Sequence, residues 1–202
     1  MDAHAENTKR IAKNTLMLYV RMLFGMLVSL YTSRVVLQAL GVEDYGIYNV
    51  VGGFVAMFSL ISGALSHSAG RFLTFELGRG NMDGVKRYFS TSLLIHIALA
   101  FIILIVSETI GIWFLNNRMV IPDDRLSAAN WVFHASIFSF MINLFSVPYN
   151  ASIVSHERMN VFAYIGIIDI ILRLFVVLFI AYSPFNFDRL IVYSILLVLV
   201  SC

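Results

Sequence analysis

Thr15-Leu-Met-Leu-Tyr-Val-Arg21-Met-Leu-Phe-Gly-Met-Leu-Val-Ser-Leu-Tyr-Thr-Ser-Arg34-Val-Val-Leu-Gln-Ala-Leu40 is the stretch that decides the fold class. A helix crosses a bilayer with roughly 20 mostly apolar residues, and this run is longer than that. It also holds two arginines. A charge at bilayer depth is expensive and usually faces a wet cavity or a partner group. The run therefore predicts a membrane helix with a polar neighbour.

Runs of the same kind recur along the chain: about Tyr45 to Gly70, Phe89 to Leu115 with Glu108 near its far end, about Leu126 to Val154, and Val161 to Tyr182. A sixth begins near Leu190 and is still apolar at Cys202, too short to span comfortably. The expected architecture is an all-α polytopic bundle of about six transmembrane helices, with residues 1–14 as a polar cytoplasmic segment. Residues 15–202 then form one transmembrane lobe whose sixth helix is cut short.

Composition agrees. The 202 residues are 59% hydrophobic and 13% charged, with a mean hydropathy of +0.84. Soluble domains carry roughly 45–50% apolar and about 25% charged residues. A net charge of +2 implies no bulk affinity for nucleic acid. The single cysteine, Cys202, has no partner for an internal disulfide or a metal cluster.

Short connectors rich in Gly, Pro, Asn and Asp separate the runs. They are Gly41-Val-Glu-Asp44, residues 78–87, residues 116–125, residues 155–160 and residues 183–189. Lys9, Arg10 and Lys13 precede the first run; Arg79, Lys86 and Arg87 fill the second connector, and Arg158 lies in the fourth. The alternate connectors hold fewer cations. Lys and Arg in short loops stay inside, which predicts a cytoplasmic N-terminus.

Five charged residues inside the runs are the candidate site. Asp169 and Arg173 stand four apart on one helical face, acid before base, the favoured order for an intrahelical pair. Both lie too deep to snorkel easily. They read either as a self-neutralised structural pair or as charges lining a water-filled path. Arg21 and Arg71 lie nearer the cytoplasmic ends of their helices, where snorkelling to the headgroups competes with a lumen role. Arg34 is thirteen residues past Arg21, roughly 20 Å along a straight helix. At about 100° per residue the two arginines do not share a face.

Other features read more plainly. His67, His96 and His134 have no metal-ligand spacing, and Glu108 is either an ion carrier or a solvated residue near a helix end. Ser59, Gly63, Ser66 and Gly70 form a small-residue stripe suited to close helix packing. Tyr19, Tyr45, Tyr48, Tyr88, Trp113 and Tyr182 fall near run ends as an interfacial belt. There is no phosphate loop, zinc signature or nucleophile–base motif. The sequence thus points away from an enzyme, with no cofactor and no metal.

Arg34-Val-Val-Leu-Gln-Ala-Leu-Gly41, followed by Val42-Glu-Asp-Tyr-Gly-Ile-Tyr-Asn49, resembles the "R-x-LG-x-x-x-YG-x-Y" region of bacterial polysaccharide flippases. These are the O-antigen and capsule exporters of the multidrug/oligosaccharidyl-lipid/polysaccharide exporter superfamily. Residues 148–164, starting at Pro148, are similar to the turn between helices four and five in some of these proteins.

The resemblance implies the N-terminal half of a two-lobe transporter. Its task would be to flip an undecaprenyl-pyrophosphate-linked oligosaccharide across the inner membrane by alternating access. Its implied partners are that lipid-linked glycan, membrane lipid, and glycan polymerase or ligase machinery, with no nucleic acid.

Arginine suits a pyrophosphate because its planar fork holds phosphate oxygens in pairs. On this reading Arg21, Arg34, Arg71 and Arg173, the last held by Asp169, form the substrate contacts. Two other readings stand beside it: a cation-coupled multidrug exporter of the same superfamily, and a non-transporting membrane fragment or subunit.

Overall fold

The structure, a computed structural model, describes residues 2–183 and 188–202. Its regular elements are all helical. In chain order they are α1 (Asp2–Ala56), α2 (Ser59–Gly78), α3 (Met82–Val106), a π-helical turn (Ser107–Gly111), α4 (Ile112–Asn117), α5 (Leu126–Ser155), α6 (Met159–Tyr182) and α7 (Arg189–Ser201). The chain is an all-α bundle, as expected. Four stretches are long and apolar enough to cross a membrane: Ala12–Ala56, Met82–Asn117, Leu126–Ser155 and Met159–Tyr182. Large apolar side chains such as Leu27, Leu30, Leu60, Phe101, Ile105 and Phe175 face outward. Soluble proteins rarely expose apolar patches of this extent, whereas lipid tails accept them. The chain is a multi-pass membrane protein.

The long α1 is two rods joined at Gly41, whose φ of 84° and ψ of 171° lie outside helical space. That region of backbone space is essentially reserved for glycine. The first rod packs along α6, with Gly25 against Ile170 and, farther on, Val36 in a cluster with Val176, Val177 and Ile180. Contacts advance along both helices in the same sense, so the two run parallel. The second rod follows α5 instead. Ile47, Val51 and Val55 pack against Ala129, Val132, Phe133 and Ile137. Phe54 meets Phe133 and Phe58 meets Phe140, each with ring centroids 6.1 Å apart.

The expected second span, Tyr45–Gly70, is not one helix. Helical bonding lapses at Met57 and Phe58, whose N–H groups donate three residues back to the carbonyls of Phe54 (3.3 Å) and Val55 (3.1 Å). Such tighter bonds mark a local 3₁₀ turn, and the segment resumes as α2. The expected third span also starts earlier, at Met82 rather than Phe89. The reason is a cap. Asn81 Oδ1 accepts from the Gly84 N–H at 3.1 Å, and its Nδ2 donates to Glu76 Oε2 at 2.7 Å. Asn is a favoured residue for closing a helix N-terminus, and the Glu76 carboxylate adds charge of the preferred sign there. Pro148 is buried inside α5, within the expected run, and the turn to α6 comes at His156–Arg158, inside the expected connector 155–160.

Successive connectors fall at opposite ends of the bundle. At one end Arg125, just before α5, bridges Asp44 of α1 (3.3 Å) and Asp188 before α7 (2.9 Å). At the other end Thr74 of α2 donates to Ser155 of α5 at 3.2 Å. These are called the Asp44 end and the Ser155 end below. The interior of the last connector, 184–187, lies outside the described residues. At the end of the small-residue stripe on α2, the Gly70 carbonyl accepts from Ser155 Oγ of α5 at 3.3 Å, while the space where a Cβ would stand on Gly63 or Gly70 is open.

Candidate functional site

Asp169 and Arg173 lie one turn apart on α6, and Arg173 Nε donates to Asp169 Oδ2 at 3.0 Å. Arg173 is fourteen residues past Met159, roughly 20 Å into the helix, so it sits at mid-span. The pair is half-buried. Arg173 opens onto a groove of about 220 Å³ built by four helical segments. The second rod of α1 contributes Tyr48 and Gly52; α5 contributes Ser136, Ser139 and Asn143; α7 contributes Ser194 and Ser201.

The groove follows from helical periodicity. Ser136, Ser139 and Asn143 recur at three- and four-residue spacing, which puts them on one face of α5. Ser194 and Ser201 stand seven apart and share a face of α7 in the same way. Each of these residues is a polar exception inside an apolar run. Their spacing was the available signal, and a search restricted to ionisable side chains passes over it. The wall also includes Val55, Phe140 and Leu197, and among the described residues no carboxylate lines it; Asp169 reaches it only through Arg173. The arrangement therefore offers a guanidinium, hydroxyls and an amide to a ligand with anionic or polyhydroxylated character.

The remaining predicted site residues lie apart from this groove. Arg21 sits on the seam between α1 and α6, its guanidinium 4.4 Å from the centroid of the Phe162 ring and against the backbone of Gly166. Arg34 lines a different hollow at the Asp44 end. Arg71 is exposed on α2 and makes no ion pair among the described residues. Asp169 and Arg173 are thus brought together, whereas Arg21, Arg34 and Arg71 are distributed over separate surfaces. Arg21 and Arg34 both lie toward α6 but at different levels, Arg21 beside Phe162 and Gly166 and Arg34 beside Ala181 and Tyr182.

Two charged clusters escape a reading made run by run, because their members lie far apart in sequence. One is the Asp44–Arg125–Asp188 bridge, with Asp44 buried at 5% exposure. The other joins Glu108 of the π turn to His134 of α5, with Oε1 and Nδ1 3.0 Å apart. The π turn advances the helix out of its usual phase and presents Glu108 toward α5. Gly111 meanwhile lets the Phe133 ring approach the backbone closely. Glu108 and His134 line a mainly apolar hollow of about 360 Å³ with Trp131, Phe138 and Ile195. His67 is exposed. His96 is buried, with Nδ1 2.7 Å from the Ser92 carbonyl oxygen. Among the described residues no group of three or more metal-ligating side chains forms.

No family model, curated protein or solved structure matches this chain. Its functional reading therefore rests on its own residues.

Proposed function

We propose that this chain is one lobe of a membrane exporter for a lipid-linked oligosaccharide diphosphate, working by alternating access in a bacterial inner membrane with the N-terminus in the cytoplasm. One observation carries the reading: a mid-span arginine, oriented by its own aspartate, faces a groove walled by hydroxyls and an amide. Asn143, Ser194 and Ser201 donate to carbonyls one turn back in their own helices, so the demand for water or a polar ligand rests chiefly on the guanidinium. Guanidinium–phosphate bonding supplies the anchor, and serine and asparagine side chains suit a glycan. The acyl chain stays in the bilayer. No covalent step is required. Asp169 keeps the arginine fork in one rotamer while the groove is empty.

The structural role of the arginines differs from one to the next under this proposal. Arg173 is the ligand contact. Arg21 belongs to the α1–α6 seam and acts on the groove only by fixing helix positions. The test is made in cells whose surface glycan depends on this gene, with Arg173→Ala and Asp169→Asn compared at equal protein levels. Loss of surface glycan in Arg173→Ala supports export. Undiminished glycan removes Arg173 from the pathway and the reading with it.

A second reading, a cation-coupled multidrug exporter, is favoured by one feature. The Glu108–His134 hollow combines an acidic group with apolar walls, which suits an amphipathic cation. Drug sensitivity in Glu108→Gln without any glycan change would select that reading.

A further inference from the structure

At the Asp44 end, between α1 and the α6–α7 pair, two arginines open on one hollow of about 450 Å³. Arg34 comes from α1 and Arg189 from the first residue of α7; Tyr31, Gln38 and Tyr182 complete the polar lining. Guanidinium, amide and phenol groups all offer N–H or O–H donors. Among the described residues no carboxylate lines the hollow.

The charge there is not neutralised by near neighbours. Asp188 adjoins Arg189 in sequence, but its Oδ2 accepts from Arg125 at 2.9 Å and its Oδ1 accepts from the Leu190 N–H at 3.0 Å. Arg189 is positioned instead by donating from Nη1 to the Ala39 carbonyl at 3.0 Å. Arg34 has no ion pair among the described residues. Two like charges on one hollow repel, and an anion between them reverses the sign of that interaction.

We propose that this hollow is a phosphate-ester site, distinct from the Arg173 groove and independent of the export reading. Its place at the end of the helical segments sets it at headgroup depth. A planar guanidinium fork grips phosphate oxygens in pairs, and phenols are at home at that level of a membrane. Two sources carry the same chemistry: the phosphodiester of an anionic phospholipid and a soluble phosphate or diphosphate.

The competing account is two arginines that merely snorkel, each indifferent to what lies beside it. Snorkelling predicts neither a fixed stoichiometry nor a joint dependence on Arg34 and Arg189.

The test uses the full chain purified in neutral detergent. Phosphatidylglycerol, or diacylglycerol as a phosphate-free control, is added, and bound lipid is counted by native mass spectrometry. A single retained phosphatidylglycerol is expected, with retention about tenfold weaker in Arg34→Gln/Arg189→Gln, the effect of roughly one charge-assisted bond pair. Arg118→Gln, an arginine at the same end that lies over Trp113 instead, leaves retention unchanged. Inorganic diphosphate in competition identifies the source: displacement of the lipid assigns a soluble anion, and persistence of the lipid assigns the headgroup. Equal binding of diacylglycerol, or full binding by the double variant, overturns the proposal. If the double variant fails to fold, Arg34→Gln alone carries the test, because its parent side chain is exposed.

Discussion

Arg125 holds Asp44 across 3.3 Å while its other amino group takes Asp188 at 2.9 Å. The two acids are not equivalent. The Asp44 side chain is 7% exposed and that of Asp188 is 32% exposed. Asp44 Oδ1 is also buried with no hydrogen-bond partner. Removing Arg125 therefore strands a buried carboxylate, which costs several times what an exposed pair is worth. Arg125→Ala is expected to destabilise the protein by about 2 kcal/mol or more, and Asp188→Asn by less than about 1 kcal/mol. Thermal unfolding in nanodiscs measures both. Equal losses would mean that Asp44 does not depend on its cation.

Arg21 and Gly166 make a second testable couple. A methyl group on residue 166 collides with the Arg21 guanidinium, which has Phe162 on one side. Overpacking of this kind costs typically about 1–3 kcal/mol. Gly166→Ala should therefore be destabilising alone but nearly harmless in an Arg21→Ala background. A double-mutant cycle reads the coupling directly. Additive losses would place Arg21 away from the α1–α6 seam.

The joint at Gly41 is a third. Any side chain there must adopt a φ near +84° with extended ψ, at about 1–3 kcal/mol. Gly41→Ala is expected to weaken the protein and to widen the distance between the two rods of α1, measured between spin labels at Gln38 and Asn49. Gly46→Ala is the control. It lies inside a helical rod with open space around its missing Cβ, so alanine there is neutral or stabilising by up to about 1 kcal/mol. A Gly41→Ala protein as stable as the Gly46→Ala one would contradict the glycine-only conformation.

Much of this architecture was legible in hydropathy alone. The run from Val161 to Tyr182 became α6, and the run from Leu126 to Val154 became α5, with ends within two residues. Such limits are set by local chemistry, because lipid demands continuous backbone bonding over an apolar stretch. The break at Met57–Phe58 was not legible, since both residues are apolar and no proline marks it. Asp169 and Arg173 were visible as a pair because four-residue spacing is local. Arg125 with Asp44 and Asp188, Arg34 with Arg189, and Glu108 with His134 depend on which helices become neighbours. Periodicity fixes the face of a helix but not the identity of the helix opposite.

The groove makes the sharpest demand on the export reading, because it must be wet. Ser139 lines it, whereas Phe101 of α3 points to the outer surface at 57% exposure. A charged methanethiosulfonate reagent attacks a thiolate, and a thiol in hydrocarbon stays protonated and inert. In a Cys202→Ser background, which removes the native thiol, Ser139→Cys should be modified by the charged reagent in intact vesicles. Phe101→Cys should resist it and react only after the protein is unfolded in denaturing detergent. The rates are expected to differ by at least about tenfold. A Ser139→Cys protein that resists the charged reagent as Phe101→Cys does, and reacts only once unfolded, would mean a dry seam between α5 and α7. Arg173 would then be a buried structural charge satisfied by Asp169, with no path for an anionic head group to reach it.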